Sequence, residues 1–173
     1  FDRRMPEEIN RVLTDQISDF LFTTEKDAEK NLLREGISGS RVHFTGNVMI
    51  DTLLRLLPKA PAPEPVLERL GVSAVDGYAL LTMHRPSNVD DPAVLERLLR
   101  CLVGISERMP IIFPVHPRTR ARIQASGLDG LLEGSRIHRT GPMAYLEMMG
   151  LMAKARMVLT DSGGIQEETT ALG

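Results

Sequence analysis

The sequence predicts an α/β protein in which parallel strands alternate with helices that cover both faces of a sheet. Along its 173 residues, short apolar runs typical of buried strands alternate with segments whose apolar residues recur at helical spacing. A proline-rich segment, residues 58–65, interrupts this alternation once. We therefore expect two doubly wound domains joined by a connector.

The first part of the chain predicts three helices and two strands. Apolar residues at helical spacing follow Pro6, a residue favoured in a first turn, and predict a helix into the high teens. The apolar run Phe20 to Thr23 predicts a buried strand. The next elements are a helix over 26–35 that Gly36 closes, a strand over 41–45, a turn at Gly46–Asn47 and a helix over 48–57.

The part beyond the prolines continues the alternation. The predicted elements are strands over 78–83, 111–115 and 157–160 with a fourth near Ile137, and helices over 92–107, 118–125 and 143–153. A further helix begins at the Ser-Gly-Gly turn after residue 160. The helix over 143–153 is rich in methionine, which we interpret as core filling.

The proline-rich segment carries four prolines in eight residues, a density that no central strand or helix interior tolerates. We interpret residues 58–65 as a semi-rigid linker between the end of a first domain, residues 1–57, and the start of a second, residues 66–173. The alternative is a surface loop within one domain.

Composition excludes several classes of protein. Hydrophobic residues make up 42% of the chain and charged residues 25%, enough to bury a core. The 21 basic residues are matched by 23 acidic ones without a basic block, so we expect no nucleic-acid partner. A single cysteine, Cys101, excludes a disulfide framework and a Cys-based zinc site, and the histidine spacings fit no metal motif. We expect no metal, no cofactor, no membrane partner, and a cytoplasmic location.

Both ends suggest a piece of a longer protein. The chain begins at Phe1 without an initiator methionine or a signal-peptide pattern, and it stops at Ala171-Leu172-Gly173, where a helix ends. We expect the piece alone to be inactive.

The strongest chemical signal is the segment Thr160 to Glu168. In doubly wound folds ligands bind at the carboxyl ends of strands, and here a strand ends at Ser162-Gly163-Gly164 as a helix begins. Glycines let the backbone approach a ligand closely, and the free N–H groups of a helix start favour a phosphate. Glu168 lies about one turn further on, where a carboxylate can accept from ribose hydroxyls. The alternative is that Asp161 or Ser162 only caps the helix and the glycines only form a tight turn.

Two other strand ends carry histidines. His84 and Arg85 follow the predicted strand over 78–83, and His116 follows the next strand. A histidine can exchange protons near neutral pH, and arginine can bind phosphate in a bidentate manner. Taken alone, the position of His84 favours a structural role, and the signal for a functional role at His116 is weaker still.

The predicted first helix carries Glu7 and Arg11 in the segment Met5 to Arg11. Acidic residues are favoured in a first turn, and Glu7 and Arg11 have the i,i+4 spacing of an ion pair. Residue chemistry alone therefore favours a structural interpretation of this segment.

Taken together, these segments resemble the non-hydrolysing UDP-N-acetylglucosamine 2-epimerases over essentially the whole chain. The motifs that carry the resemblance are Met5 to Arg11, Thr45-Gly46-Asn47 with Ile50 to Leu53, Thr82 with His84-Arg85, Val115-His116-Pro117, and Thr160 to Glu168. The resemblance implies two Rossmann-like domains of glycosyltransferase B type, both incomplete in this chain, with a nucleotide sugar as the small-molecule partner. It also implies a homodimer when the protein is complete.

The resemblance implies that UDP-GlcNAc and UDP-ManNAc are interconverted by elimination of UDP to 2-acetamidoglucal and re-addition, with exchange of the C2 proton. It assigns Glu7 and His84 to catalysis. It assigns UDP binding to Ser162, Gly163, Gly164 and Glu168, and second-rank or activator contacts to Arg11, Arg85 and His116. Alternatives are a hydrolysing epimerase, a related glycosyltransferase, and a non-catalytic nucleotide-binding module.

The chain departs from the family pattern at two places. Pro86-Ser87 stand where many members have Arg-Glu, which bears on activation by a second substrate molecule. Met143 replaces a glutamine often found before the Met-rich helix, which bears on recognition of uracil.

Overall fold

The computed structural model describes residues 5–73 and 77–173, and the chain divides into two compact units, Phe1–Thr52 and Leu53–Gly173. The predicted helices and strands over the described residues are confirmed, most of them to within two residues at each end. The predicted burial of the strand over 20–23 is wrong in part, because Phe20 and Phe22 are exposed. The division falls inside a helix, and residues 58–65 belong to the second unit.

The first unit contains a two-stranded parallel sheet. Its elements are α1 (Pro6–Ile17), β1 (Leu21–Thr23), α2 (Lys26–Arg34), β2 (Val42–Phe44) and the start of α3 (Val48–Leu56). Leu21 of β1 pairs with Val42 of β2. The core is small: Leu21, Leu32 and Ile37 are buried, and Val42 packs against them. Many large apolar side chains of this unit are exposed, among them Ile9, Leu13, Ile17, Phe20, Phe22 and Phe44.

The second unit contains a four-stranded parallel sheet in the order β5-β4-β3-β6. Its helices are α4 (Glu64–Leu70), α5 (Pro86–Val89), α6 (Pro92–Ser106), α7 (Pro117–Ala125), α8 (Tyr145–Lys154) and α9 (Gly163–Leu172). Its strands are β3 (Ala79–Thr82), β4 (Ile111–Pro114), β5 (Ile137–Thr140) and β6 (Met157–Thr160). Single turns of 3-10 helix cover Gly39–Arg41, Leu57–Lys59 and Asp129–Leu132.

Both faces of this sheet are covered in its centre, as a parallel sheet requires. Successive strand residues point to opposite faces, and Ala79, Leu80, Ile111 and Ile112 are all completely buried. One face packs on α6, whose Leu95, Leu99 and Leu102 recur at helical spacing and join the main core. Asp91 caps this helix, its carboxylate accepting the N–H groups of residues 93 and 94 at 2.8 and 3.2 Å.

The proline-rich segment is less extended than the sequence predicts. Pro58 lies in a 3-10 turn, and α4 begins at Glu64 with Pro65 in its first turn, a position where the missing N–H of proline costs no helical hydrogen bond. Pro61 passes so close to α8 that a Cβ atom on Gly150 would lie 2.1 Å from the Pro61 carbonyl oxygen. The segment is thus packed on the second unit.

The burial of the methionines and the length of the helices relate to two further predictions from the sequence. Met149 and Met152 of α8 are buried, which confirms core filling for these two methionines. Among the described residues, no helix is long and apolar enough to cross a membrane.

Candidate functional site

The carboxyl ends of β3 and β6 lie side by side. The two strands pair along four residues, ending with Thr82 opposite Thr160. The two threonine hydroxyls are 2.7 Å apart, and the Asp161 N–H donates to the Thr82 carbonyl at 3.3 Å. The loops that follow the two strands therefore leave the sheet together, although they are far apart in sequence.

Asp161 joins the two loops. Its carboxylate accepts the backbone N–H of His84 at 2.9 Å, the backbone N–H of Arg85 at 2.8 Å and the side-chain amide of Asn88 at 3.1 Å. The Nδ1 atom of His84 lies 3.1 Å from Asp161 Oδ1. Burial raises the pKa of Asp161, but the hydrogen bonds from Arg85, Asn88 and His84 outweigh burial and hold the pKa below its ordinary value. The carboxylate is therefore ionised at neutral pH.

The helix-capping interpretation of Asp161 and Ser162 is wrong. The Asp161 carboxylate accepts hydrogen bonds from the turn after β3 and not from the start of α9. Ser162 is the N-cap residue of α9, a helix that lies wholly within the described residues, but its side chain makes no capping bond. The backbone N–H of Ser162 donates to Thr160 Oγ1 at 3.0 Å. The Ser162 hydroxyl is thus placed at the start of α9 without serving as its cap.

The tight-turn interpretation of the two glycines is also wrong. Neither Gly163 nor Gly164 has a positive φ, and both lie in the first turn of α9. A Cβ atom on Gly163 would meet Arg85 Nη2 at 3.7 Å, an ordinary contact. The fold of the described residues therefore gives no reason for a glycine at 163, whereas a ligand against the helix start would.

Arg85 places a cation beside this helix start. Its Nε donates to the Asp161 carbonyl at 3.0 Å. Together with the free N–H groups at the start of α9, the guanidinium makes this edge of the sheet suited to an anion with several oxygens.

Glu168 lies further along α9 and is buried, with 6% of its surface exposed. The Tyr145 hydroxyl donates to Glu168 Oε1 at 2.8 Å. Burial and this bond to a carboxylate raise the pKa of Tyr145. Tyr145 therefore orients the carboxylate predicted to contact ribose, and the sequence analysis missed it because the two residues lie on different helices.

His116, after β4, is near His84, with ring centroids 5.6 Å apart. Its Nδ1 accepts the Arg118 N–H at 3.2 Å and so caps α7. The structural interpretation of His116 is confirmed to this extent, and its predicted contact with an activator stays a prediction.

Glu7 and Arg11 belong to the first unit, where Glu7 is exposed on α1. The predicted Glu7–Arg11 ion pair is wrong. Arg11 instead binds Glu8 and Asp15 on its own helix and Glu35 after α2. These bonds use all five N–H donors of the guanidinium and raise the pKa of Arg11. Arg11 thereby ties α1 to the end of α2.

The second unit thus brings together His84, Arg85, His116 and the Ser162–Gly164 helix start, with Glu168 along the same helix. Sequence reasoning missed Asn88 and the role of Asp161 because their partners are about 75 residues away. Within residues 5–73 and 77–173, no three His, Cys, Asp or Glu side chains form a group that could hold a metal ion.

Comparison with known proteins extends over the whole chain. The family model for UDP-N-acetylglucosamine 2-epimerase matches residues 1–173. A UDP-N-acetylglucosamine 2-epimerase of Methanococcus maripaludis is 42% identical over 99% of this chain and 48% of its own length. A UDP-2,3-diacetamido-2,3-dideoxy-D-glucuronate 2-epimerase of Pseudomonas aeruginosa is 40% identical over all of this chain and 47% of its own length.

A solved structure gives the same result for the fold. The crystal structure of Methanocaldococcus jannaschii UDP-GlcNAc 2-epimerase in complex with UDP-GlcNAc and UDP matches 99% of this chain and 48% of its own, with 45% identity and a TM-score of 0.81. This likeness, with the parallel sheets described above, confirms the predicted Rossmann-like α/β fold class of glycosyltransferase B type.

The chain spans about half the length of the relatives it matches. Over that half, the family model matches residues 1–173 and the solved structure aligns with 99% of the chain. The chain therefore belongs to the UDP-N-acetylglucosamine 2-epimerase family.

Proposed function

We propose that the whole protein containing this chain interconverts UDP-GlcNAc and UDP-ManNAc without releasing free sugar. The observation that carries the proposal is the convergence of His84 and Arg85 with the Ser162–Gly164 helix start at one edge of the sheet, where Asp161 holds the two loops together. This edge combines a proton-transfer group with an anion-binding helix start.

The diphosphate is the group that fits this helix start. Ser162 supplies a hydroxyl, Gly163 leaves room for a close approach, and Arg85 supplies a cation next to both. When UDP departs from the sugar, negative charge develops on the diphosphate oxygens, and fixed donors stabilise that charge without reorganisation.

Glu168 is proposed to bind the ribose. Tyr145 occupies one carboxylate oxygen, so the other is the acceptor for a ribose hydroxyl. Because Glu168 is buried, its hydrogen bonds are little weakened by water and help to fix the register of the nucleotide.

The proposed reaction is an elimination followed by an addition. A base removes the C2 proton, the C–H electrons form the C1=C2 double bond, and the C1–O bond breaks with its electrons leaving on UDP. UDP then adds back to C1 of 2-acetamidoglucal as a solvent-derived proton is delivered to the opposite face of C2. We assign Glu7 and His84 to these proton transfers and to stabilisation of the leaving group, as the family resemblance implies.

Deuterium exchange tests the reaction. In heavy water the full-length protein is expected to introduce deuterium at C2 of UDP-GlcNAc and to produce UDP-ManNAc, both observable by NMR. Free ManNAc with UDP would assign a hydrolysing epimerase instead. UDP binding without turnover would assign a nucleotide-binding module.

A substitution at Glu7 separates binding from catalysis. Glu7→Gln in the full-length protein is expected to lower turnover by at least about 100-fold, the usual scale for loss of a general acid or base. UDP affinity, measured by calorimetry, should change little. The matched control is Glu29→Gln, since Glu29 is an exposed glutamate on α2. Equal activity of the two variants would remove Glu7 from the mechanism.

The relative from Pseudomonas aeruginosa supports a second candidate substrate. Its 40% identity is close to the 42% of the Methanococcus maripaludis enzyme, although its name specifies a diacetamido glucuronate. A parallel assay with UDP-GlcNAc and UDP-2,3-diacetamido-2,3-dideoxy-D-glucuronate will rank the two sugars by kcat/KM. We expect UDP-GlcNAc to be preferred.

We also propose that the whole protein is a homodimer, as the family resemblance implies. Light scattering on the full-length protein tests this proposal. A monomer mass at assay concentration would contradict it.

A further inference from the structure

We propose that Asp161 is a positioning residue that fixes the His84 imidazole, so that Nε2 is the ring nitrogen offered to the substrate. The proposal deepens, and in its kinetic part rests on, the proposed epimerase function. It concerns a contact inside the second unit and can be examined independently of that function.

The geometry ties His84 to one carboxylate at two points. Asp161 accepts the backbone N–H of His84 at 2.9 Å through Oδ2, and its Oδ1 lies 3.1 Å from the ring nitrogen Nδ1. The main-chain hydrogen bond fixes the backbone of His84, and attraction between the Asp161 carboxylate and the ring at Nδ1 favours the ring orientation seen here.

The two side chains of this pair, Asp161 and His84, differ in burial. The Asp161 side chain is 11% exposed, whereas that of His84 is 41% exposed. The ring edge that carries Nδ1 thus faces the buried carboxylate, which leaves Nε2 as the nitrogen available at the accessible edge of the sheet.

The carboxylate also determines where the proton of the neutral ring lies. Hydrogen bonds from Arg85, Asn88 and His84 favour the ionised form of Asp161, and an ionised carboxylate can only accept. An unprotonated Nδ1 would place a lone pair 3.1 Å from Oδ1, so the carboxylate favours the tautomer with the proton on Nδ1, and the neutral ring then presents an unprotonated Nε2. A proton gained during the reaction is gained at Nε2 and can be donated from there.

Asp161 itself is held by several independent donors. The Arg85 N–H at 2.8 Å and the Asn88 amide at 3.1 Å both donate to Oδ2. In the strands that precede the two loops, the hydroxyls of Thr82 and Thr160 are hydrogen-bonded to each other. Because the carboxylate is fixed before any ligand arrives, it can orient the imidazole without reorganisation.

Nitrogen NMR on the unmodified full-length protein tests the tautomer directly. With ¹⁵N-labelled histidine and His84→Gln for assignment, neutral His84 is expected to carry its proton on Nδ1 and to leave Nε2 unprotonated. A proton found on Nε2 would overturn the proposal. This measurement needs neither activity nor an altered Asp161.

Kinetics of Asp161→Asn tests the consequence. Asparagine has nearly the same shape but can donate toward Nδ1, which favours the other tautomer, and in a serine-protease triad the corresponding change costs about 10⁴-fold in kcat. We expect kcat to fall by at least about 100-fold, with KM for UDP-GlcNAc and UDP affinity within about threefold. The control is Asp129→Asn, which alters an ion pair with Arg139 elsewhere in the second unit.

The outcomes distinguish this proposal from the proposed function. If the unmodified protein epimerises and Asp161→Asn matches Asp129→Asn in kcat, Asp161 does not position a catalytic group and the inference fails. If the unmodified protein does not epimerise, the proposed function fails, and the tautomer alone decides whether Asp161 fixes the ring. Should Asp161→Asn not fold, the NMR result on the unmodified protein decides the proposal.

Discussion

Gly163 is a residue that the described fold does not require but that a bound ligand would. It adopts an ordinary helical conformation at the start of α9, and a Cβ atom there would make only an ordinary contact with Arg85 Nη2 at 3.7 Å. The described fold does not require glycine at this position, which lies at a helix start suited to anions. A substitution here should therefore affect ligand binding without lowering stability.

We predict that Gly163→Ala leaves folding stability unchanged or raises it by up to about 1 kcal/mol, because alanine favours helix over glycine. The added methyl group would stand between the helix start and the diphosphate, so UDP affinity should fall by at least about tenfold. Urea unfolding and calorimetry measure the two effects. Gly104→Ala is the control, since Gly104 lies on α6 with nothing within 4 Å of its Cβ position. A clear loss of stability at 163 would show that the glycine serves the fold.

Tyr145 provides a second prediction for a single side chain. Tyr145→Phe removes the hydrogen bond to Glu168 and is expected to weaken UDP binding by several-fold, corresponding to about 1 kcal/mol for a hydrogen bond in a protein. Tyr78→Phe is the contrasting variant. Its hydroxyl donates at 2.6 Å to the Leu151 carbonyl in the core, so its loss should lower stability and leave UDP affinity unchanged. If both variants affected UDP binding equally, Glu168 would not depend on Tyr145.

At the scale of single residues, the sequence predicts candidate site residues that directly follow strands. It does not predict contacts between side chains that are far apart in the sequence. Ser162, Gly163 and His84 follow apolar runs, which the sequence displays directly. The roles of Asp161 and Tyr145 depend on which strand or helix lies beside them. No local pattern encodes that neighbourhood.

The proline-rich segment is held against α8 by a close approach of the two backbones. Gly150 is buried on α8, and the Pro61 carbonyl occupies the place where a side chain would begin. The contact is between two backbones, so neither partner can move as a flexible side chain would. Glycine at 150 allows the segment to pack directly on the helix.

We predict that Gly150→Ala destabilises the second unit by about 1–3 kcal/mol, the usual cost of overpacking, despite the better helix propensity of alanine. Thermal unfolding followed by circular dichroism measures the change. Gly104→Ala again serves as the control and should be neutral or slightly stabilising. A neutral Gly150→Ala would mean that the proline segment yields easily and contributes little to stability.

Elements of ordinary length were predictable because their periodicity extends over several residues. The two short helices α4 and α5 were not predicted. Prolines at 63 and 65 masked the start of α4, although a first turn tolerates proline, and α5 has only four residues, too few for a period to show.

At the scale of the whole molecule, the two units differ in their cores. The first unit, taken by itself, buries Leu21, Leu32 and Ile37 around a two-stranded sheet. The second unit buries a large contiguous cluster in which Leu95, Leu99, Ile111 and Phe113 are completely covered. Since stability rises with buried apolar area, the second unit should be the more stable.

We predict that amide exchange in the 173-residue chain is slowest in β3 and β4 and much faster in β1 and β2. The central strands are covered on both faces, whereas the first unit exposes Phe20, Phe22 and Phe44 around its sheet. Hydrogen exchange followed by mass spectrometry measures this difference. Equal protection of β1 and β3 would contradict it.

The sequence predicted a parallel α/β architecture because strand and helix patterns alternate, but it did not predict the strand order. β3 lies between β4, the next strand along the chain, and β6, the last one. That placement depends on how the helices pack over the sheet. It places Asp161, at the end of β6, against His84.

The pairing of β3 with β6 also has a consequence during protein synthesis. A ribosome adding about 5–20 residues per second needs several seconds to pass from the end of β3 to the end of β6. Throughout that interval the nascent chain has His84 and Arg85 but lacks the strand and carboxylate that hold them. The edge of the sheet that carries His84, Arg85 and the start of α9 is therefore completed late in translation of this unit, and a stall before residue 161 would leave an open sheet edge for chaperones to cover.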